Sequence, residues 1–253
     1  MSGITTHTTG SILHIVLDRP DKRNAVNTSM LRALSAAIAT ARDDSVRVVA
    51  LTGAGQAFCA GGDLSGVDTE GAAIAANEAV QAITQLPKPV VAGVRGAAVG
   101  VGCSLALACD LVIAARSAFF QLAFTKVGLM PDGGASSLLP AAIGRARAAR
   151  MALLAEKIPA GGAFDWGMIS HLVDDEAFDD ELASVLRSLA AGPTTSYGWT
   201  KRALTTATLP RLPGAQALEA EGQEVLTQTD DFRRAVRAFR RRPGANPTTK
   251  DAR

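Results

Sequence analysis

Short apolar runs alternate with helix-period segments over the first two thirds of the chain. Four runs of β-type residues predict buried strands, at positions 12–17, 46–52, 90–94 and 110–115. Between them, apolar residues recur every three or four positions over 28–42 and 72–85, which predicts amphipathic helices. Strands that alternate with helices are typical of an α/β fold around a largely parallel sheet.

The last quarter of the chain has a different pattern. Beyond a short strand predicted at 170–173, helical periodicity dominates, in the segments 176–191, 194–206, 213–229 and 230–241. We therefore divide the chain into an α/β core, residues 1–192, and a helical region, residues 193–253. We expect this region to bury Leu204, Leu218, Val225 and Phe239 against the core or neighbouring subunits, because oligomerisation is the simplest role for it.

Composition narrows the function classes. With 47% hydrophobic residues in 253, the chain can build a full core, and its 26 basic and 24 acidic residues leave a net charge of only +2. Such a balance predicts no nucleic-acid or membrane partner. Cys59, Cys103 and Cys109 lack the spacing of a disulfide scaffold or a metal site. The first ten residues carry no export signal, so we predict a cytoplasmic protein.

Two glycine-rich runs carry the strongest chemical signal. Residues 56–64 read QAFCAGGDL and residues 96–104 read GAAVGVGCS, and each follows a predicted strand. Glycines there could simply allow tight turns. Placed after strands and before a helix, however, they can present bare backbone N–H groups to one point, as in an oxyanion hole. A dinucleotide or phosphate loop is disfavoured because Gly100-Val-Gly102 has no third glycine and no Gly-Lys-Ser/Thr occurs.

Asp132 is the candidate catalytic carboxylate, although its Pro-Asp-Gly context also fits a turn or a helix cap. Ser104, Asp132 and His171 occur in the chain order of an α/β-hydrolase triad. That reading is disfavoured because residues 96–101 separate Ser104 from the preceding strand. The arginine-rich segment 233–242 is interpreted as a solvated helix face, with an anion-binding role as the alternative.

Together these residues resemble the enoyl-CoA hydratase/isomerase (crotonase) family. The resemblance runs over most of the chain, in the motifs RPDKRNAVN (19–27), FCAGGDL (58–64), PKPVVAGVRG (87–96), GVGCSLALACD (100–110), GLMPD (128–132) and AFDWGMIS (163–170). It implies a spiral of ββα units followed by a C-terminal helical region that forms trimers, often paired into hexamers. It also implies an acyl-CoA thioester whose carbonyl oxygen lies between the backbone N–H groups of Gly62 and Val101.

Further site residues follow from the same resemblance. It implies coenzyme A contacts at Arg23, Ala25, Ala60, Gly62, Asp63 and Leu64, and an acyl pocket that includes Ser104 and Phe124. Family members usually have glycine where Val101 stands, but valine keeps the N–H donor. Hydratases of the family carry glutamates where this chain has Ser104 and Phe124. The chain therefore lacks the two carboxylates that ordinary hydration uses.

Asp132 matches the position of an acidic residue in several members that are not hydratases, including enoyl-CoA isomerases. We therefore predict a Δ3-to-Δ2 enoyl-CoA isomerase with Asp132 as base and acid, and without a metal or redox cofactor. A hydratase with atypical catalytic residues and a catalytically silent acyl-CoA binder are the alternatives. In the chlorobenzoyl-CoA dehalogenase the equivalent acid needs a histidine, and none lies between His14 and His171.

Overall fold

The computed structural model describes residues 3–64 and 71–240. Its strands are β1 (Ile4–Thr9), β2 (Ile12–Leu17), β3 (Val48–Gly53), β4 (Val90–Val94), β5 (Ala97–Val99), β6 (Leu111–Ala115), β7 (Phe119–Gln121), β8 (Ile158–Pro159) and β9 (His171–Val173). Its α-helices are α1 (Thr28–Thr40), α2 (Ala72–Gln85), α3 (Val101–Ala108), α4 (Ala135–Leu154), α5 (Ala160–Asp165), α6 (Phe178–Ala191), α7 (Thr194–Thr208), α8 (Leu212–Thr227) and α9 (Asp230–Arg240).

The main sheet has six strands in the order β1-β2-β3-β4-β6-β9. The β1–β2 pair is antiparallel and every later pair is parallel. The central strands β3, β4 and β6 are almost wholly buried because helices cover both of their faces. One face packs against Phe178, Leu182 and Leu186 of α6, and the opposite face belongs to the larger core. The alternation predicted from the sequence is therefore confirmed.

Two parts of the fold were not predicted. No strand was predicted before residue 12, whereas Ile4–Thr9 pairs with β2 along its full length. This edge strand is Thr-rich and mostly exposed, so it lacks the apolar alternation that identifies a half-buried strand. The strands β5, β7 and β8 form a second sheet of only two or three residues each. Such short strands leave little periodicity to detect.

The helix α8 packs against α2 and α4 of the same chain, with its polar side inward. Gln216, Glu219 and Gln223 are buried. In contrast, Leu218 and Val225 are each 63% exposed. The expectation that these two apolar residues pack against the core is therefore wrong, and their packing against a neighbouring subunit stays a prediction.

The helix α9 packs against a 3-10 turn at Ala123–Val127. A buried Phe232 of this helix belongs to the core, and Gly128 lies against its backbone. The last two helices thus cover the region of the α/β body that follows β7. No helix of the described part of the chain is long and apolar enough to cross a membrane.

Candidate active site

The two glycine runs meet at the carboxyl ends of β3 and β4. Cys59 donates its backbone N–H to the Ala97 carbonyl (2.8 Å), and Val99 donates to the Cys59 carbonyl (2.9 Å). A Cβ on Gly96 would lie 2.1 Å from the Gln56 carbonyl oxygen, so only glycine fits where the two segments approach. Backbone pairing alone therefore brings segments almost forty residues apart in the sequence into one site.

Two backbone N–H groups are left free by this arrangement. Val26 donates to the Gly61 carbonyl (2.9 Å) and Asp63 donates to the Val26 carbonyl (2.8 Å). In this parallel bridge the N–H of Gly62 points away from Val26. Val101 is the first residue of α3, where helical N–H groups have no partner within the helix. Among the described residues, neither the Gly62 N–H nor the Val101 N–H has an acceptor.

Both donors line a cavity of about 1010 Å³. Much of its wall is apolar and is formed by Leu31, Ile74, Val99, Phe124, Val127, Leu129 and Phe232. A Cβ on Gly100 would lie 3.8 Å from the Phe124 ring, so this ring stands directly beside the second glycine run. The same cavity is thus lined by two backbone N–H donors and by an apolar wall.

The predicted coenzyme A residues divide into two groups. Ala60, Gly62, Asp63 and Leu64 line the cavity. The other two, Arg23 and Ala25, are not among the described lining residues. The carbonyl of the exposed Arg23 accepts a hydrogen bond from the Ala60 N–H (3.0 Å), and the Ala25 carbonyl accepts one from Arg19 (2.8 Å). Arg23 thus bonds to the first glycine run through its backbone, and the coenzyme A contacts of Arg23 and Ala25 stay a prediction. Residues 65–70 lie outside the described residues.

Asp132 is one of the residues that line the same cavity. Its Oδ2 accepts a hydrogen bond from Gln223 Nε2 (2.9 Å), and Oδ1 has no partner among the described residues. Burial raises the pKa of this carboxyl group to about 7, the hydrogen bond from Gln223 opposes the rise, and the nearby Glu219 adds to it. An acid with this pKa exchanges protons readily at neutral pH.

Three comparisons with known proteins identify the family. The family model described as enoyl-CoA hydratase/isomerase matches residues 7–246. The chain belongs to the enoyl-CoA hydratase/isomerase (crotonase) family. An acyl-CoA thioester is the substrate expected of this family.

The relatives carry names of both enzyme types. A probable enoyl-CoA hydratase from Rhodobacter capsulatus is 44% identical over 231 residues, which cover 89% of this chain and 90% of the relative. A 1,2-epoxyphenylacetyl-CoA isomerase from Escherichia coli K12 is 40% identical over 250 residues, covering 94% and 95%. The crystal structure of an enoyl-CoA hydratase from Mycobacterium avium subsp. paratuberculosis superposes with a TM-score of 0.91 at 40% identity, covering 97% and 98%. The crotonase fold is therefore confirmed.

Ser104 was predicted to line the acyl pocket, but it is not among the described residues that line the cavity of this crotonase site. Its side chain is fully buried, and its hydroxyl donates to the Asp132 carbonyl (2.8 Å). Ser104 therefore stands behind Asp132 and positions the backbone there, whereas Phe124 does line the cavity. The hydrolase alternative fails too, because His171 lies on β9 with its ring beside Ser170.

Asp132 does not cap α4. The buried Glu219 does so, accepting hydrogen bonds from the N–H groups of Gly134 (2.6 Å) and Ser136 (2.8 Å). The sequence analysis missed both Glu219 and Gln223, which reach the crotonase site from α8. Their signal was available, since positions 216, 219 and 223 form a polar row at helical spacing beside apolar Leu218 and Val225.

A second cavity, of about 1070 Å³, lies at the opposite end of the sheet beside α7. Its two buried lysines, Lys88 and Lys201, already have partners. Lys88 donates to the Asp43 carbonyl (2.6 Å), while Lys201 donates to the Ile83 carbonyl (2.7 Å) and pairs with Asp110 (2.7 Å). This cavity contains neither glycine run. The crotonase chemistry therefore belongs to the cavity with Asp132.

Metal and thiol chemistry find no support in the described residues. Among them, no group of three or more His, Cys, Asp or Glu side chains could hold a metal ion. The thiols of Cys59 and Cys103 are buried and free, and burial raises the pKa of each to about 12. These cysteines therefore act as small packing residues.

Proposed function

We propose that the protein is a Δ3-to-Δ2 enoyl-CoA isomerase in which Asp132 moves the proton and the N–H groups of Gly62 and Val101 stabilise the charged intermediate. One observation carries this proposal. A carboxyl group with a pKa raised to about 7 lies on the wall of the apolar cavity that both free donors line. The proposal needs no metal or redox cofactor.

The reaction needs one base and one anion site. The Asp132 carboxylate takes a proton from C2 of a 3-enoyl thioester. The C2–H electron pair forms a C1=C2 bond, and the π electrons of the carbonyl group move onto its oxygen. The two backbone donors stabilise this dienolate as its charge develops. Protonated Asp132 then returns the proton to C4, which leaves the conjugated 2-enoyl thioester and regenerates the carboxylate.

Hydration has less support from this site. Adding water requires a carboxylate that activates the water and a donor for the α-carbon. Phe124 makes one corner of the cavity apolar, and the buried Ser104 already donates to the Asp132 carbonyl. One relative is named an isomerase of an acyl-CoA, which supports isomerisation. Another is named a probable enoyl-CoA hydratase, so the experiment also measures hydration.

Other carboxylates on the wall are less suited to the reaction. Asp63 pairs with Arg19 at 2.8 Å, and Glu221 and Glu224 of α8 are exposed to solvent. Apolar surroundings are what tune an acid toward proton transfer at neutral pH. Asp132 has such surroundings, and its Oδ1 is the oxygen left without a partner.

The test compares two carboxylates on the same cavity wall. The wild type should convert 3-enoyl-CoA faster than it hydrates 2-enoyl-CoA, and Asp132→Asn should lower isomerase turnover by roughly 10²-fold or more. Thioester affinity should change little, because the oxyanion donors are backbone groups. The matched control, Glu221→Gln, removes an exposed carboxylate of the same wall and should keep its activity.

Two results would reject the assignment. Faster hydration than isomerisation in the wild type would make the protein a hydratase with atypical residues. Tight binding of acyl-CoA without any turnover would make it a silent binder. A panel that includes 1,2-epoxyphenylacetyl-CoA extends the search to the substrate named for the relative.

Assembly and location complete the proposal. We expect a homotrimer or hexamer, built through the helical region after residue 192, in the cytoplasm. The exposed apolar residues of α7 and α8 support this, since Leu204, Leu218 and Val225 are each at least 60% exposed in the single chain.

A further inference from the structure

The helix α8 makes two side-chain contacts with the segment that carries Asp132. Glu219 accepts hydrogen bonds from the N–H groups of Gly134 and Ser136, just after Asp132. Gln223, one turn further on, donates to the Asp132 carboxyl and to the Met130 carbonyl (2.8 Å), just before it. Both residues are buried. They therefore hold the segment 130–136 from both sides.

We propose that Glu219 and Gln223 are positioning residues that set the protonation of Asp132 in opposite directions, Glu219 favouring the neutral acid and Gln223 the carboxylate. The helix α8 would then contribute to catalysis in addition to lining the cavity. As a statement about catalysis it rests on the proposed isomerase function. The contacts themselves do not depend on that function.

Glu219 acts through its charge. Two backbone N–H donors at the start of α4 favour its carboxylate form, because a helix N-terminus stabilises negative charge. A buried negative charge then disfavours a second one nearby. Burial raises the pKa of Glu219 as well, so the two acids compete for one negative charge. The backbone donors favour the charge on Glu219, and a charged Glu219 raises the pKa of Asp132.

Gln223 acts through the direction of its amide. Its Nε2 donates to the Met130 carbonyl as well as to Asp132 Oδ2, and a carbonyl can only accept. A rotated amide would turn its oxygen toward the Met130 oxygen. Gln223 is thus fixed as a donor toward Asp132, and a donor stabilises the carboxylate form. Its own Oε1 is buried without a partner in the described structure.

Charged groups elsewhere around Asp132 are few. From α3, the neighbour is the Ser104 hydroxyl, which donates to the Asp132 carbonyl. The other acids on the cavity wall are Asp63, which pairs with Arg19, and the exposed Glu221 and Glu224. Among the charged groups of the described structure, the nearby Glu219 raises the pKa of the Asp132 carboxyl. A change at Glu219 should therefore be visible in the titration of Asp132.

The experiment measures that titration directly and through activity. Carboxyl carbon NMR of the whole protein, with Asp132→Asn to assign the signal, gives the Asp132 midpoint in each variant. The pH dependence of kcat/KM for 3-enoyl-CoA gives it again. Glu219→Gln should lower the midpoint by roughly one pH unit, and Gln223→Met should raise it by a similar amount.

Gln216→Leu is the matched control. Gln216 is buried on the same helix, but it bonds to Asn77 and Gln81 and not to Asp132. It should lose stability without moving the midpoint. If Glu219→Gln and Gln223→Met also leave the midpoint unchanged, or move it in the same direction, the inference is wrong. If Glu219→Gln does not fold, the Gln223→Met variant still tests the inference, because its Asp132 midpoint must rise.

The two readouts separate this inference from the proposed function. Opposite NMR shifts in a protein without isomerase activity would support the roles of Glu219 and Gln223 and reject the reaction. Isomerase activity that depends on Asp132, together with unchanged midpoints, would support the reaction and reject these roles.

Discussion

At the scale of single residues, the burial that raises the pKa of Asp132 also lowers the stability of the fold when Asp132 is ionised. Its carboxyl has a pKa of about 7 in the fold against an ordinary value of 3.8, because burial disfavours its charge. The folded state therefore binds this proton more tightly than the unfolded chain does. The stabilisation from that proton is fully present below pH 4 and is lost as the pH rises through about 7.

The Asn variant should reveal this cost. Asp132→Asn keeps the shape but never ionises, so its free energy of unfolding should exceed that of the wild type at pH 8, by up to about 4 kcal/mol. Near pH 4 the difference should almost vanish. Urea unfolding at pH 4, 6 and 8 measures it, with Glu221→Gln as the exposed control. An Asn variant that is less stable than the wild type at pH 8 would contradict the buried environment of Asp132.

Ser104 and Phe124 show what a sequence motif can and cannot locate. The motif gave both residues a place in the acyl pocket, and Phe124 does line the cavity. Ser104 points the other way because it lies within α3 on the side that faces the segment of Asp132. A motif fixes the position of a residue along the helix, whereas the direction of its side chain depends on packing partners far away in sequence.

At the scale of secondary structure, the first turn of α3 offers a selective test of the oxyanion donor. Val101 is the first helical residue, a position where proline is well tolerated, and the preceding Gly100 adapts easily. Val101→Pro should remove the N–H while keeping the helix, so kcat should fall by roughly 10²- to 10³-fold. Steady-state kinetics with 3-enoyl-CoA measure this.

Val101→Ala is the control, since it trims the side chain but keeps the N–H. It should retain most of the activity. Circular dichroism of both variants checks that α3 remains folded. Equal activity in the Pro and Ala variants would mean that the Val101 N–H takes no part in the reaction.

The sequence predicted most elements, but it did not show which face of α8 packs against the core. Central strands and the helix at 72–85 appear as predicted, because local apolar periodicity reflects burial on one chain. For α8, the same rule predicted burial of Leu218 and Val225 against the core or a neighbouring subunit, and within the single chain both are exposed. The structure turns Glu219 and Gln223 inward because their hydrogen bonds complete the site. Periodicity alone cannot show that a polar face has partners 83 to 93 residues away.

At the scale of the whole molecule, the outward apolar residues of α8 predict assembly. Leu218 and Val225 lie seven positions apart and so share one face of the helix, and Leu204 of α7 is also exposed. A soluble domain rarely leaves such residues uncovered unless another surface binds there. A second exposed pair, Leu153 and Leu154, lies at the end of α4.

Light scattering at micromolar concentration should therefore report three or six copies of the 26.1 kDa chain. Leu218→Glu combined with Val225→Glu should dissociate this assembly, because two buried charges without partners oppose association. Leu153→Glu with Leu154→Glu is the comparison variant. If only that variant dissociates, the end of α4 forms the interface, and the helical region after residue 192 serves the active site rather than assembly. A stable monomer in the wild type would contradict both interfaces.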